Sequence, residues 1–563
     1  MKPGSQGTAA IPPLPQGERE GGPAYHPPVS DEQNTPTGAP EDVHRLEAQR
    51  RENRDKAAAL GVRPYGSRED GLISLADAKA VYDDDANTAF NEHGKEPGFA
   101  DPRPFVKVAG RVVLHRDNGK LVWLNLRDPT GDIQVAASKR DCAETGFGLA
   151  KVGDLGDVIV AEGRLMRTRT GEVTVWASDL RPAAKCLAPP PEKHAGLADA
   201  ETRARRRYLD MWVNPETTAV FETRSAIVAE LRRFLGERGF VEVETPMLQA
   251  QAGGAAARPF VTHLNALDMD VYLRIAPELY LKRLLVGGLP RVFEINRNFR
   301  NEGVDRSHNP EFTMLELYSA FGDVETVMEI TESGIRRIAQ AVAERQGLGA
   351  PTLPFGELSI DYAEPFGRVR YGDLFERALG FPMTDGDKVW SAAAERGLVR
   401  KWTKHLAEEG RAVDESVARA SIDPWLVVNG LFEEVAEPTL DGARPTFITH
   451  YPAALSPLTR PNAEDASLAD RADLFIAGME IGPHYTELND PDIQAEKFRA
   501  QLAGVDDEES TFRTFDSDFV RALKVGMPPA GGVGIGIDRV VMLMTDRRSI
   551  RDVILFPFMR PEE

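Results

Sequence analysis

Residues 291–318 read RVFEINRNFRNEGVDRSHNPEFTMLELY, and this stretch predicts two extended segments joined by a long polar loop. Side chains alternate between the two faces of a strand. If residues 311–318 form a strand, one face carries Phe312, Met314, Glu316 and Tyr318. The loop before it carries Arg300, Glu302 and His308, which suit a site that clamps a phosphate and holds a purine. A polar hairpin tip with ordinary surface charges is the alternative.

The length of 563 residues predicts two or three domains, because a single hydrophobic core stops growing at about 250–300 residues. A hydrophobic content of 42% with 28% charged residues is typical of a soluble globular protein. No apolar run approaches the roughly 20 residues that span a bilayer, and the N-terminus does not resemble a secretory signal. Cys142 and Cys186 lie far apart and in no metal-ligand spacing. These features predict a cytoplasmic protein that does not associate with membranes.

The net charge of -20 argues against a protein that coats nucleic acid non-specifically. Local basic clusters remain possible RNA contacts, and the sequence has two, at residues 44–56 and 201–208. Each cluster is equally well explained as a solvated helix face.

The composition changes along the chain and predicts five regions. The first is rich in Pro and Gly and is expected to be a disordered tail. The second begins with an Arg-rich helix from Glu41 to Leu60 that Gly61 ends, and the third has five short strands separated by turn residues, which favours an oligonucleotide-binding (OB) barrel. The predicted regions are a tail at 1–40, a helical extension at 41–104, the barrel at 105–185, a linker at 186–200 and a second domain at 201–563 with a helical insertion at about 360–440.

Three motifs of the second domain resemble those of the class II aminoacyl-tRNA synthetases. FRNEG at 299–303 followed by HNPEFTMLELY at 308–318 resembles motif 2, in the form found in the lysine-specific enzymes. Residues 221–248 resemble motif 1, whose helix and following strand form a dimer interface that would include Pro246. GGVGIGIDRV at 531–540 resembles motif 3. The resemblance implies an α+β protein with an N-terminal OB-fold barrel and a catalytic domain built on an antiparallel sheet flanked by helices.

Amino-acid activation by these enzymes is a problem of charge. The attacking carboxylate is already ionised, so the enzyme must hold two anions in line and neutralise charge as pyrophosphate leaves, with arginines and magnesium. The sequence has no P-loop motif, so ATP would be bound by a different kind of site. The resemblance implies catalytic roles for Arg300 and Arg539 and an ATP site formed by Arg300, Glu302, His308, Phe312, Gly536 and Arg539.

The resemblance also implies two acidic Mg²⁺ ligands, Asp473 and Glu480. The family usually has Glu where Asp473 stands, so one ligand is a methylene shorter.

The amino-acid site is implied to rest on carboxylates. Matching positions are Gly254, Glu278, Glu316, Tyr318, Tyr485 and Glu487. In the family, the position of Glu278 holds the α-amino group, while those of Glu316, Tyr318 and Glu487 surround the side-chain ammonium. Acidic groups attract the ammonium of lysine and repel the carboxylate of aspartate. The aspartate synthetases need an arginine in the pocket, and the matched amino-acid-site positions contain none. Pro483 stands where the family usually has a substrate-contacting Asn, and Met479 replaces a common Arg.

In the barrel, the resemblance places Arg116, Trp123 and Gln134 on the face that binds the anticodon. An aromatic ring there stacks an unstacked base, and an amide reads a base edge. The family usually has Phe where Trp123 stands. Without the resemblance, Trp123 is better explained as a residue of the barrel core.

The resemblance as a whole implies a homodimer that activates lysine with Mg-ATP to lysyl-adenylate and transfers it to the 3' end of tRNA(Lys). Two alternatives remain open at this point. One is a sibling ligase for aspartate or asparagine, and the other is a non-catalytic paralogue that binds tRNA or a protein partner.

Overall fold

The computed structural model describes residues 41–188, 197, 199–255, 257–403, 415–456, 458–503 and 515–562. The predicted tail at 1–40 and most of the predicted linker lie outside these ranges. The chain divides into two compact units, Met1–Pro190 and Pro191–Glu563.

The N-terminal unit begins with helices and continues as a closed barrel. The helices are α1 (Glu41–Ala59), α2 (Leu75–Ala80), α3 (Asp84–His93) and, after the third strand, α4 (Glu144–Val152). The strands are β1 (Phe105–Asp117), β2 (Leu121–Asp128), β3 (Gly131–Ser138), β4 (Val158–Arg167) and β5 (Val173–Ala184). They close in the order β1-β2-β3-β5-β4, which confirms the predicted OB-fold barrel.

Local sequence explains both parts of this unit. Helix α1 stops where Gly61 takes a φ of 83°, a left-handed conformation that glycine adopts without strain. Along β2, Val122, Leu124 and Leu126 are buried and fill the barrel, while the residues between them point outward.

The second unit is built on an eight-stranded sheet. Its strands are β6 (Val241–Glu242), β10 (Arg291–Phe299), β11 (Glu311–Ala320), β14 (Gly367–Arg370), β15 (Thr446–Thr449), β16 (Arg471–Ile476), β17 (Met479–Thr486) and β18 (Ala530–Gly536). They are ordered β14-β15-β16-β17-β18-β11-β10-β6. The six strands from β15 to β10 pair antiparallel, as predicted. The end pairs β14–β15 and β10–β6 are parallel, so the sheet is mixed rather than wholly antiparallel.

Smaller strands and helices complete this unit. The strands are β7 (Leu248–Gln249), β8 (Val261–Leu264) and β9 (Met269–Leu273) in one small sheet, and β12 (Thr352–Phe355) with β13 (Leu358–Asp361) in a hairpin. The helices are α5 (Ala200–Arg205), α6 (Arg207–Val213), α7 (Pro215–Glu237), α8 (Glu278–Val286), α9 (Val324–Arg345), α10 (Tyr371–Leu379), α11 (Gly386–Glu395), α12 (Leu398–Trp402), α13 (Glu415–Ser421), α14 (Pro424–Leu431), α15 (Pro491–Ala503), α16 (Ser517–Gly526) and α17 (Ile537–Met544).

The main core lies between one face of the large sheet and helices α7, α9 and α17. The apolar residues predicted on one side of α7 are all buried there: Ile227, Leu231, Phe234 and Leu235. Leu315 and Leu317 of β11 belong to the same cluster. The strand predicted after α7 is shorter than expected, because only Val241 and Glu242 pair with β10 before Pro246.

Helices α10 to α14 pack around a separate apolar cluster, in which Tyr371 stacks on Phe432 with ring centroids 3.7 Å apart.

Candidate active site

The polar face of β11 and the glycine-rich strand β18 form the floor of the site. The predicted alternation holds, because Leu315 and Leu317 enter the core while Glu316 and Tyr318 face the opposite side. Tyr318 pairs with Gly532, and Glu316 pairs with Gly534. A Cβ atom on Gly532 would lie 2.0 Å from Glu487 Oε1 and 2.5 Å from the Tyr318 ring. Glycine at 532 is therefore required by the side chains that occupy this floor.

A cavity of about 360 Å³ lies above this floor. Its wall contains Gly254, Glu278, Glu316, Tyr318 and Tyr485 of the predicted amino-acid site and Arg300 and Glu480 of the predicted nucleotide and metal sites. Residues from five separate segments of the second unit thus meet in one cavity.

Glu316 is a buried carboxylate in the cavity wall. Burial, with the charge of Glu278 added, raises the pKa of Glu316 to about 8. The Tyr318 hydroxyl donates a hydrogen bond to Glu316 Oε2 at 3.2 Å. An ammonium group beside Glu316 would stabilise its ionised form, so the position favours a cationic ligand.

Glu278 and Glu487 are joined by a lysine that the sequence analysis did not single out. Lys282 Nζ lies 2.6 Å from Glu278 Oε1 and 2.5 Å from Glu487 Oε2, and its side chain is fully buried. Glu487 is 2% exposed and lies behind the cavity wall rather than on it. Burial, offset by the charge of Lys282, raises the pKa of Glu487 to about 7. Gly254, with a φ of 88°, approaches Glu278 closely.

The predicted nucleotide residues lie near one another. Arg300 stands over the Phe312 ring, with its Cζ atom 5.2 Å from the ring centroid. Arg539 donates to the backbone oxygen of Glu480 at 2.5 Å, and its Nη2 atom lies 3.4 Å from His308 Nε2. Gly536 ends β18 immediately before α17, which carries Arg539.

Arg300 is the cation at the nucleotide side of the cavity. Burial lowers its pKa, and the negative charge of Glu302 works in the opposite direction. The Arg300 Nε atom is buried and has no hydrogen-bond partner among the described residues. Such a guanidinium is suited to bind an anionic group.

Asp473 and Glu480 lie on neighbouring strands, β16 and β17. Burial and the charge of Asp473 raise the pKa of Glu480. Both oxygens of Asp473 accept hydrogen bonds from Arg471, at 2.9 and 2.6 Å. Two carboxylates that interact electrostatically supply oxygen ligands of the kind that a divalent cation takes. No group of three or more His, Cys, Asp or Glu side chains with metal-site geometry occurs in the described ranges.

Pro483 and Arg471 are two further residues of the cavity wall. Pro483 lies on the cavity wall opposite Asp473 in the strand pairing, where the family usually has Asn. Arg471 also lines the cavity, although the matched set of amino-acid-site residues contains no arginine. Its guanidinium is committed to Asp473, to the backbone oxygen of Leu455 and to Ser456 Oγ.

The sequence contained signals for both missed residues. Glu278 and Lys282 are four residues apart, a spacing at which an acid and a base pair if the segment is helical, as α8 is. Arg471 and Asp473 are two residues apart on a strand and therefore share a face.

The predicted anticodon residues lie on neighbouring strands of the barrel. Arg116 on β1 pairs directly with Trp123 on β2, and Gln134 on β3 pairs with Asn125. Trp123 is half-buried and stands between the core residues Val122 and Leu124 on the outer side of the barrel. The alternative that Trp123 fills the barrel core is therefore wrong.

Pro246, the residue predicted at a dimer interface, is exposed, as are its neighbours Met247 and Leu248.

Comparisons with known proteins agree with this geometry. The family described as tRNA synthetases class II (D, K and N) matches residues 199–560, and the OB-fold nucleic acid binding domain matches residues 106–183. The lysine–tRNA ligase of Pelotomaculum thermopropionicum is 44% identical over 94% of this chain and 97% of its own length. The chain belongs to the lysine–tRNA ligase family.

Two more lysine–tRNA ligases support the assignment. That of Serratia proteamaculans is 45% identical over 91% of this chain and 96% of its own, and that of Cronobacter sakazakii is 47% identical over 81% and 86%. The comparisons support neither an aspartate or asparagine ligase nor a non-catalytic paralogue.

Among the described residues of this lysine–tRNA ligase family member, no helix has the length and apolar character that crossing a membrane demands.

Proposed function

We propose that this chain activates lysine with ATP and transfers the lysyl group to tRNA. A carboxylate oxygen of lysine attacks the α-phosphorus of ATP, which forms lysyl-adenylate and releases pyrophosphate. The 3'-hydroxyl of the terminal adenosine of tRNA(Lys) then attacks the carbonyl carbon, and AMP leaves. The observation that carries the proposal is the meeting of Glu278, Glu316 and Arg300 in one cavity, with Glu487 directly behind it.

Opposite charges divide the proposed site into two halves. At the acidic half, Glu278 would bind the α-amino group, and Glu316, Tyr318 and Glu487 would surround the side-chain ammonium, with Gly254 and Tyr485 beside it. At the basic half, Arg300 would bind the α-phosphate and oppose the charge that develops there.

The adenine of ATP would lie between Phe312 and Arg539, next to His308, Glu302 and Gly536. A ring on one side and a planar guanidinium on the other suit a purine, because both attract its π face. Arg300 and Arg539 are the residues to which we assign catalytic roles.

Magnesium fits the pair of Asp473 and Glu480, since close carboxylates supply the oxygen ligands that Mg²⁺ takes. When bound, the ion would neutralise charge on the phosphates of ATP. Arg471 holds Asp473 in a fixed orientation and thereby sets where its oxygens lie.

The barrel would bind the anticodon through Arg116, Trp123 and Gln134, which lie on three consecutive strands. A homodimer is supported by the exposed apolar residues around Pro246, because Val241, Met247 and Leu248 are each about half exposed, at 47%, 46% and 51%. The molar mass in solution tests this part of the proposal.

Lysine-dependent ATP–pyrophosphate exchange tests the first step. We expect exchange with the unaltered protein and, for Glu316→Gln, a KM for lysine raised on the order of 10- to 100-fold. A hydrogen bond to a charged group contributes about 1.5–3 kcal/mol, and about 1.4 kcal/mol is a factor of ten. Glu344→Gln, on the exposed side of α9, is the control and should leave exchange unchanged. Exchange that does not depend on lysine would refute the proposed function.

A further inference from the structure

Lys282 is a fully buried cation placed inside the acidic half of the site. It lies on α8 one turn after Glu278, and its Nζ atom contacts carboxylate oxygens of Glu278 and Glu487 at 2.6 and 2.5 Å. The same atom is 5.9 Å from the centroid of the Tyr318 ring. Burial alone works to lower the pKa of Lys282, but the charges of Glu278 and Glu487 outweigh it, so its pKa is raised and the ammonium stays protonated.

The charges of the cluster match those of a diamino acid. Glu278, Glu316 and Glu487 supply three negative charges when ionised, and Lys282 supplies one positive charge. Two negative charges therefore remain for a ligand, and lysine has two ammonium groups. Its carboxylate would face Arg300 and the nucleotide instead. A buried site is stable when its charges are paired, so this balance favours a ligand with two cations.

Without the Lys282 ammonium, the carboxylates would repel one another. The Lys282 charge lowers the pKa of Glu487, whereas burial and the Glu278 charge raise it. The other charged and titratable groups that face the cluster, among the described residues, are Glu316 and Tyr318 on β11, Glu294 on β10, Arg300 after β10 and Tyr485 on β17. Arg300 lies on the nucleotide side next to Glu302, so Lys282 is the cation in direct contact with Glu278 and Glu487 within the described ranges.

We propose that Lys282 is a positioning residue for amino-acid recognition, whose ammonium favours the ionised form of Glu487 and holds the Glu278 and Glu487 carboxylates at a fixed spacing for the two ammonium groups of the substrate. The inference rests on the proposed function. It assigns the selection of a diamino acid to four side chains, namely the carboxylates of Glu278, Glu316 and Glu487 and the ammonium of Lys282. Lys282 acts through the two carboxylates and is not itself required to contact lysine.

The test is the KM for lysine in ATP–pyrophosphate exchange, measured from pH 7 to pH 8.5 for Lys282→Met and Lys282→Arg. At pH 7 we expect Lys282→Met to raise the KM for lysine about 100-fold or more, since Glu278 and Glu487 lose the cation that holds them in place and Glu487 becomes harder to ionise. The KM for ATP should stay within about threefold. Lys282→Arg retains the charge and should keep the KM for lysine within about tenfold of the unaltered protein.

The pH profile separates this role from simple packing. In Lys282→Met the pKa of Glu487 lies further above its present value of about 7, so the carboxylate is protonated at pH 7 and ionises as the pH rises. The ratio of the variant's KM for lysine to that of the unaltered protein should therefore fall between pH 7 and pH 8.5. A ratio that is independent of pH would overturn the proposal, as would a KM for lysine unchanged in Lys282→Met or equally raised in Lys282→Arg.

Two controls make the outcome decisive. Lys185→Met removes another buried lysine that is paired with two carboxylates, Asp154 and Asp157, but in the N-terminal unit, and should leave exchange unchanged. If circular dichroism shows that Lys282→Met does not fold, Lys282→Gln replaces it as the neutral variant. Absence of lysine-dependent exchange in the unaltered protein would refute the proposed function. Normal exchange in the unaltered protein, together with an unchanged KM for lysine in Lys282→Met, would refute only this inference.

Discussion

Single residues on β11 and β18 decide what the site can bind. Side chains of β11 alternate, so Leu315 and Leu317 build the core while Glu316 and Tyr318 line the cavity. On β18, Gly532 leaves the volume that the Glu487 carboxylate and the Tyr318 ring occupy. A Cβ atom at this position would displace the two side chains, so Gly532 supports the proposed site although it has no side chain.

Gly532→Ala should raise the KM for lysine about 10- to 100-fold. The added Cβ would lie 2.0 Å from Glu487 Oε1 and would displace that carboxylate, and overpacking of this kind costs about 1–3 kcal/mol. Gly236→Ala on α7 is the matched control, because its Cβ would meet no atom within 4 Å. An unchanged KM for lysine in Gly532→Ala would contradict the placement of Glu487 in the amino-acid site.

At the scale of elements, the hairpin of β16 and β17 holds the proposed metal ligands. Arg471 and Asp473 share a face of β16 and form a two-point ion pair, and the Arg471 guanidinium also lies 4.4 Å from the Tyr451 ring centroid. Glu480 on β17 lines the cavity. Asp473 therefore lies in the middle of β16, and Glu480 lies near the turn of the hairpin.

Arg471→Met should lower the free energy of unfolding by about 3–5 kcal/mol, because Asp473 would be left buried without its partner. Urea unfolding measures the change. Arg521→Met removes a pair with Asp518 whose side chains are 76% and 66% exposed, and should cost less than about 1 kcal/mol. If the free energy of unfolding fell equally in the two variants, the Arg471–Asp473 ion pair would not contribute as a buried ion pair does.

The sequence predicted elements that local patterns encode. Alternation in residues 311–318 predicted both faces of β11, helical spacing predicted the buried side of α7, and turn residues predicted the strands of the barrel. Pairing between distant segments was not predictable from these patterns. The parallel end strands, the short β6 and the contact of Lys282 with Glu487 each depend on which segments meet in space.

At the scale of the whole molecule, a net charge of -20 confines RNA contacts to small areas. Several arginines of the two basic clusters are used internally. Arg50 donates to backbone oxygens of Leu155 and Cys186, and Arg207 pairs with Asp210 and the backbone oxygen of Arg551. The barrel face around Trp123 remains the proposed tRNA contact.

Trp123→Ala should weaken tRNA charging and leave lysine-dependent exchange unchanged, because the barrel would bind tRNA while the second unit activates lysine. Loss of one stacked base costs about 1–3 kcal/mol, so the KM for tRNA should rise about 5- to 100-fold. Phe105→Ala removes another exposed aromatic of the barrel, at the opposite end of β1 from Arg116, and should have little effect. A fall in exchange with Trp123→Ala would indicate a folding defect instead of a tRNA contact.

The central claim is that the acidic cavity selects lysine for attachment to tRNA. Charging of total tRNA with each amino acid in turn, in the presence of Mg-ATP, tests it most directly. The arrangement of Glu278, Glu316 and Glu487 predicts that lysine is attached and that aspartate and asparagine are not. Attachment of aspartate or asparagine, or no attachment of lysine, would contradict it.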